Sequence, residues 1–261
     1  MRHPFCRSLV WLFGIIGFVS GCSGNRSEKP VSQTPDLSGI WLGKAIQSLS
    51  PSDPTGQKPG VEGDIPYTPW AIARMKSERP AFGVNQTFEN TNDPALKFAD
   101  PDGYPRASIH PMKFKIVQTP DAIYQLWEYN KSWREIALNR PHSKVPDISW
   151  FGESVGTWEG DTLVVDSIGF KDSTWLDPIG HPHTEDLHMI ERIRRADPET
   201  LVFNFTFDDP KAYTKPWEGQ LTFKLKNDGI MTETIYTISD ELSFRQRFLN
   251  EKPNLPIRSG H

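Results

Sequence analysis

From Lys113 onward the sequence reads as a succession of short strands, and where apolar and polar side chains alternate with a period of two it restricts the chain to half-buried strands. In Leu201-Val202-Phe203-Asn204-Phe205-Thr206-Phe207 every odd position is apolar, so one face of the strand is always buried. Residues 220–226 repeat the pattern with Leu221, Phe223 and Leu225. Turn signals divide the stretch into hairpins: Pro120-Asp121 between strands at 114–119 and 122–129, Glu159-Gly160-Asp161 between 154–158 and 162–167, and Asp197-Pro198 between 187–195 and 201–207. Residues 133–138 add a strand, and 231–238 and 242–248 two more. Nine or ten strands in sequence order, with almost no helix, predict an all-β fold: a single antiparallel β-barrel, in which closure removes the exposed edges and creates a lumen.

Upstream of Lys113 the pattern is different. Residues 49–66 and 85–111 are dense in Pro, Gly, Asp and Asn and predict long loops. Between them one short helix is expected over residues 70–76, with Thr68 as its cap, Pro69 in its first turn and Pro80 beyond its end.

The N-terminus has Arg2 and Arg7, an uncharged run over 9–19, and Val19-Ser20-Gly21-Cys22, the layout of a secretory signal closing on a lipobox. The run is far shorter than the ~20 apolar residues a membrane span requires. Residues 1–21 are therefore expected to be a lipoprotein signal peptide, Cys22 the lipidated first residue, 22–35 a flexible linker, 36–250 the barrel domain and 251–261 a tail. Lipid on Cys22 attaches the protein to a membrane. With Ser23 rather than Asp after the Cys, the expected location is the outer membrane of a Gram-negative bacterium, facing the periplasm.

Composition narrows the partners. Of 29 basic residues, Arg2 and Arg7 leave with the signal, so 27 face 33 acidic ones and the mature charge is −6. Nucleic acid, which needs a positive surface, is excluded as the main partner. The only cysteines are Cys6 and Cys22, so the mature domain has neither a disulfide nor a thiol nucleophile to draw on. There is no GxGxxG or P-loop, and no cofactor is expected. The pattern fixes no oligomeric state.

Two resemblances add to this reading. Gly39-Ile40-Trp41 resembles the GxW opening of lipocalin-like (calycin) barrels. That likeness implies a Trp closing one barrel end against an Arg from the last strand, here Arg245 or Arg247. More of the chain is similar to a family of secreted bacterial proteins of mostly unknown function. The motifs are Gly156-Thr157-Trp158-Glu159-Gly160-Asp161-Thr162-Leu163-Val164-Val165-Asp166, Thr174-Trp175-Leu176-Asp177 and Tyr213-Thr214-Lys215-Pro216-Trp217, with His183, His188, Glu191 and Arg192 between them. This second likeness implies secretion and no particular reaction.

Polar and aromatic residues concentrate between Asp172 and Glu191, where three imidazoles (His181, His183, His188) lie near Asp177 and Glu185. As a metal site the spacing fits neither HExxH nor a facial triad, and no metal is assigned. As an acid–base site, the catalytic candidates are His183, His188, Asp177 and Glu191. His142, Trp150, Trp175, Arg192, Tyr213 and Trp217 are the ligand-binding candidates, in loops 140–150, 172–188 and 209–218 that would roof a pocket. On the strand at 187–195, Leu187, Met189, Glu191 and Ile193 share one face, and His188, Ile190, Arg192 and Arg194 lie on the other. If the apolar face is the core, Glu191 needs a cation or becomes a raised-pKa acid; if the polar face lines the lumen, His188 and Arg192 touch the ligand. The expected function is lipid-anchored binding of a small apolar or aromatic compound in the barrel. The alternatives are a lyase, isomerase or hydrolase using a His/carboxylate pair, and a structural envelope scaffold.

Overall fold

The computed structural model describes residues 34–46, 48–52, 65–81, 87 and 89–250. The signal peptide, Cys22, all of the linker except its last two residues, and the tail at 251–261 lie outside the described residues. Nine strands close into one barrel in sequence order: β1 (Gly39–Gly43), β2 (Lys113–Gln118), β3 (Ala122–Trp127), β4 (Trp133–Leu138), β5 (Glu153–Glu159), β6 (Thr162–Ile168), β7 (His188–Asp197), β8 (Thr200–Asp208) and β9 (Trp217–Leu225), with β9 pairing back to β1. The fold is an all-β single barrel, as the alternation predicts.

The barrel is not purely antiparallel. Strands β4 and β5 run parallel, with Ile136 opposite Ser154 and Leu138 opposite Gly156, whereas every other neighbouring pair is antiparallel. Parity requires this: strand direction can reverse at every step around a closed ring only if the number of strands is even, so nine strands need a parallel pair. The chain resolves it with a crossover, residues 139–152, that returns along the barrel before β5 begins. Gly156 makes room for the parallel partner, because a Cβ there would come within 2.9 Å of Ile136 and 3.0 Å of Leu138.

The last two expected strands do not form. Within residues 231–238 the only sheet pairing is a bridge from Thr234 to Tyr129; the segment is a strap held by the turn between β3 and β4. Thr232 donates its backbone N–H to Glu128 Oε1 at 2.7 Å, Asn130 N–H reaches Thr234 O at 2.7 Å, and Tyr236 N–H reaches Asn130 Oδ1 at 2.8 Å. Residues 242–248 lie in a helix, α3 (Ile238–Phe248), capped by Thr237, whose side chain accepts from Asp240 N–H. Asp240 and Glu241 in its first turn and Arg245 and Arg247 in its last suit the helix dipole. Arg245 therefore pairs with Glu89 at 3.0 Å, and the arginine over Trp41 is Arg195 of β7, 5.2 Å from the ring centroid. The expected short helix is present as α1 (Pro69–Ser77) with Thr68 as its cap, joined by α2 (Pro94–Phe98) and a 3-10 turn (Arg106–Ser108) in the region expected to be loop. Among the described residues no helix is long and apolar enough to cross a membrane.

The two ends of the barrel differ. One carries the tight turns at 119–121, 160–161 and 198–199, with Gly160 at φ +64° in the second, and is closed by Leu37 and Trp41. At the other end emerge the segments 44–112, 128–132, 169–187 and 209–216, which contain most of the buried polar residues. Between the ends, Phe114, Trp127, Phe203, Phe205, Phe207 and Phe223 point inward and pack edge to face or stacked, with centroid separations of 4.8 to 6.2 Å.

Candidate functional site

The lumen carries charge, and the charge is fully paired. Glu191 of β7 and Arg134 of β4 are not on neighbouring strands, yet Arg134 Nη2 donates to Glu191 Oε2 at 2.5 Å, so the pair bridges the interior with neither side chain more than 1% exposed. The rest of the guanidinium is also used: Nε donates to Ser154 Oγ at 2.9 Å, Nη1 to Gln125 Oε1 at 3.2 Å and Nη2 also to Ser167 Oγ at 2.7 Å. Tyr104, in the turn preceding Arg106, donates its hydroxyl to the other oxygen of Glu191, and its ring lies 3.9 Å beneath the guanidinium carbon. Burial and the neighbouring Glu191 charge push the Tyr104 phenol well above its ordinary range. Burial works to lower the pKa of Arg134, but the Glu191 carboxylate more than reverses that and raises it. Of the two environments open to Glu191, it has the paired one, and the lumen at this level is filled by protein.

His188 and Arg192 lie on the outer face. Arg192 Nη2 is 2.8 Å from Glu159 Oε2, and its side chain edges a shallow cleft of about 480 Å³ between β7–β9 and residues 46–51. His188 Nε2 contacts Asp166 Oδ1 at 2.9 Å, and His142 Nε2 contacts the same oxygen at 3.1 Å. The other nitrogen of His142 lies 3.0 Å from Glu153 Oε1, which also accepts from Ser143 N–H at 2.6 Å. Burial works to raise the Glu153 pKa, and the Ser143 and His142 contacts outweigh it and lower it.

At the loop-bearing rim, Asp177 pairs with neither His183 nor His188 but with His181, whose Nδ1 lies 2.5 Å from Asp177 Oδ2, both side chains being fully buried. Asp177 Oδ2 also accepts from Leu49 N–H at 2.7 Å. Tyr67 and Trp217 flank the imidazole, with centroids 6.0 and 5.7 Å away. His183 sits apart from this pair. Its Nδ1 is 3.1 Å from Thr184 O, which requires the proton on that nitrogen, and Thr174 Oγ1 is 2.6 Å from Nε2. Burial lowers the His183 pKa below the ordinary imidazole value. Tyr213 donates its hydroxyl to Pro182 O at 2.7 Å and packs against Trp217, which stacks on Phe207. Trp175 lies under Arg106, and Trp150 under Lys171 at 4.4 Å. Tyr213, Trp217 and Trp175 are therefore buried parts of the rim, while Trp150 is half-buried on the crossover. Among the described residues no group of three or more His, Cys, Asp or Glu is arranged to hold a metal ion.

One open site was missed by sequence reasoning. Trp133 opens β4 with its side chain outward and 58% exposed, at the edge of a cleft of about 430 Å³. Phe151 from the crossover and Ile235 and Tyr236 from the strap add apolar wall; Asp102, Asn130 and Ser132 supply polar edges. Burial pushes the Tyr236 phenol up to about 12, and its hydroxyl donates to Leu96 O at 2.9 Å, which fixes its orientation in the wall. The inversion in Trp133-Arg134 hides the site: hydrophobicity alone would turn the tryptophan in and the arginine out.

The sequence matches no protein-family model and no curated protein.

Proposed function

We propose that this is a lipid-anchored envelope protein, held by Cys22 at the periplasmic face of the outer membrane, that binds a small planar aromatic compound at the rim of the barrel rather than inside it. The observation that carries this reading is the cleft beside Trp133. A large aromatic side chain is left 58% exposed next to two further aromatic residues and three polar ones, while the lumen is occupied by the Arg134–Glu191 pair and packed aromatic rings. Apolar walls with a few polar groups at the edge suit a small, mostly apolar ligand. The lipobox and the likeness to secreted bacterial proteins support the envelope location. The test is saturation-transfer NMR with neutral aromatic probes such as indole and naphthol. Binding is expected in the parent protein, with a loss of about tenfold in affinity in Trp133→Ala. Equal binding by parent and variant, or no binding to either, overturns the reading.

A second reading, acid–base chemistry, rests on one observation: Asp177 fixes the Nδ1 side of His181, the arrangement that orients an imidazole base. Its test is turnover of compounds bound by the parent protein, abolished in His181→Asn with the thermal midpoint retained. Turnover that survives in the variant rejects it.

A further inference from the structure

We propose that His142 is a proton-dependent clamp that holds the β4–β5 crossover onto the outer wall of the barrel. The geometry carries the argument. Carboxylates only accept hydrogen bonds, and His142 has one at each ring nitrogen: Glu153 of β5 at Nδ1 (3.0 Å) and Asp166 of β6 at Nε2 (3.1 Å). A neutral imidazole has one N–H, so it can satisfy only one of them; both contacts are hydrogen bonds only when both nitrogens carry protons. From β7, His188 reaches the same Asp166 oxygen through Nε2, which a neutral tautomer can do. The crossover's own Arg140 is directed elsewhere, 3.9 Å from Glu135. The clamp thus sets two carboxylates against one imidazolium.

Besides His142, the hydrogen bond that holds its middle is Ser143 N–H to Glu153 Oε1. Pro141, Ser143, Lys144, Val145, Asp147 and Ile148 are exposed, with Val145 at 84%, and His142 and Pro146 are the two side chains of 141–148 that turn toward the protein. The ends are tied by backbone bonds, Asn139 N–H to Gly156 O and Ser149 N–H to Gly169 O, both 2.9 Å. Loss of one proton from His142 removes a charge-assisted bond from the middle of the crossover and leaves either Glu153 with the Ser143 N–H alone or Asp166 with His188 alone. Residues 140–148 then lift from β5 and β6 while 149–151 stay in place.

The test uses the full chain with 15N-labelled histidine. Proton-detected long-range nitrogen spectra at about pH 6 should show both His142 nitrogens protonated, and amide exchange should show the Ser143 N–H losing about tenfold in protection, corrected for intrinsic rate, between about pH 6 and pH 8.5. In His142→Gln, whose amide does not titrate, the protection is expected to be low and independent of pH. The proposal fails if the parent His142 is singly protonated at the lower pH, or if the variant retains the parent's pH dependence. The nitrogen spectra are read on the parent alone, so the outcome does not depend on the variant folding.

Discussion

Two of the clusters that pair carboxylates with nitrogen cations or imidazoles lie one inside the barrel and one on its wall, and the contrast between them shows what burial does to the same chemistry. Inside, Glu191 meets Arg134, a cation that does not titrate in the physiological range, and each nitrogen of the guanidinium has an acceptor. Outside, Asp166 meets His142 and His188, whose side chains are 20% and 43% exposed and can exchange protons with solvent. Taking a charge out of water is expensive unless its partner is held in place, and in the lumen Glu191 has a permanent one. At the surface the penalty is small, and an imidazole is tolerated as the partner.

The largest expected effect tests the inner cluster. Arg134→Met leaves Glu191 buried without its cation, and unfolding in urea should show a loss of about 3–5 kcal/mol. The double variant Arg134→Met with Glu191→Leu removes the uncompensated charge and should recover most of that loss, because two apolar residues of similar volume are often no worse than the pair they replace. A double variant as unstable as the single one would mean that packing around Arg134, rather than charge pairing, is what the interior needs.

The strands were readable because their signal is local. Eight of the expected segments match observed strands to within a few residues between Lys113 and Leu225, and the three hairpins among them turn at Pro, Gly or Asp. Three features were not readable in the same way. The parallel pair follows from the strand count, a property of the whole ring that no single segment contains. The helix at Ile238–Phe248 was hidden behind an apolar run, although Thr237 three residues before Asp240, with arginines in the last turn, is a helix signature that was present in the sequence. Partner choice was the least legible: proximity in sequence suggested His183 or His188 for Asp177, but the turn at 177–181 closes on His181, and Glu191 finds its cation across the lumen, 57 residues away. The outward Trp133 was missed because its neighbour Arg134 is committed to Glu191, and in a strand an inward residue forces the next one out.

An intermediate effect separates His183, one of the buried histidines of the rim, from the histidines on the wall. Burial holds His183 below the ordinary imidazole value of 6.5, so in the pH range between its folded and unfolded values the unfolded chain binds more protons than the folded one. Stability is therefore fully present above pH 6.5 and falls as pH drops through the lowered folded value. Urea midpoints measured from about pH 7 down to about pH 5 should decline in the parent, and part of that slope should disappear in His183→Gln, whatever the variant's absolute stability. An unchanged slope would mean that carboxylates account for all of the acid sensitivity, Asp102 and Glu128 being the buried ones whose partners hold them low.

The smallest effect belongs to the outer cluster, and its smallness is the prediction. Asp166 and His188 are 40% and 43% exposed, so each can exchange its partner for water when the other is removed. His188→Ala should change global stability by no more than about 0.5–1 kcal/mol, several-fold below the loss expected for Arg134→Met. The variant leaves both carboxylates that contact His142 in place, so Ser143 protection on the crossover should also be retained. A loss of several kcal/mol in His188→Ala would mean that the wall cluster is as essential to the barrel as the lumen pair, and the distinction between a permanent inner partner and a titrating outer one would fail. Retained global stability with lost Ser143 protection would place His188 within the clamp itself, sharing through Asp166 the proton that holds the crossover down.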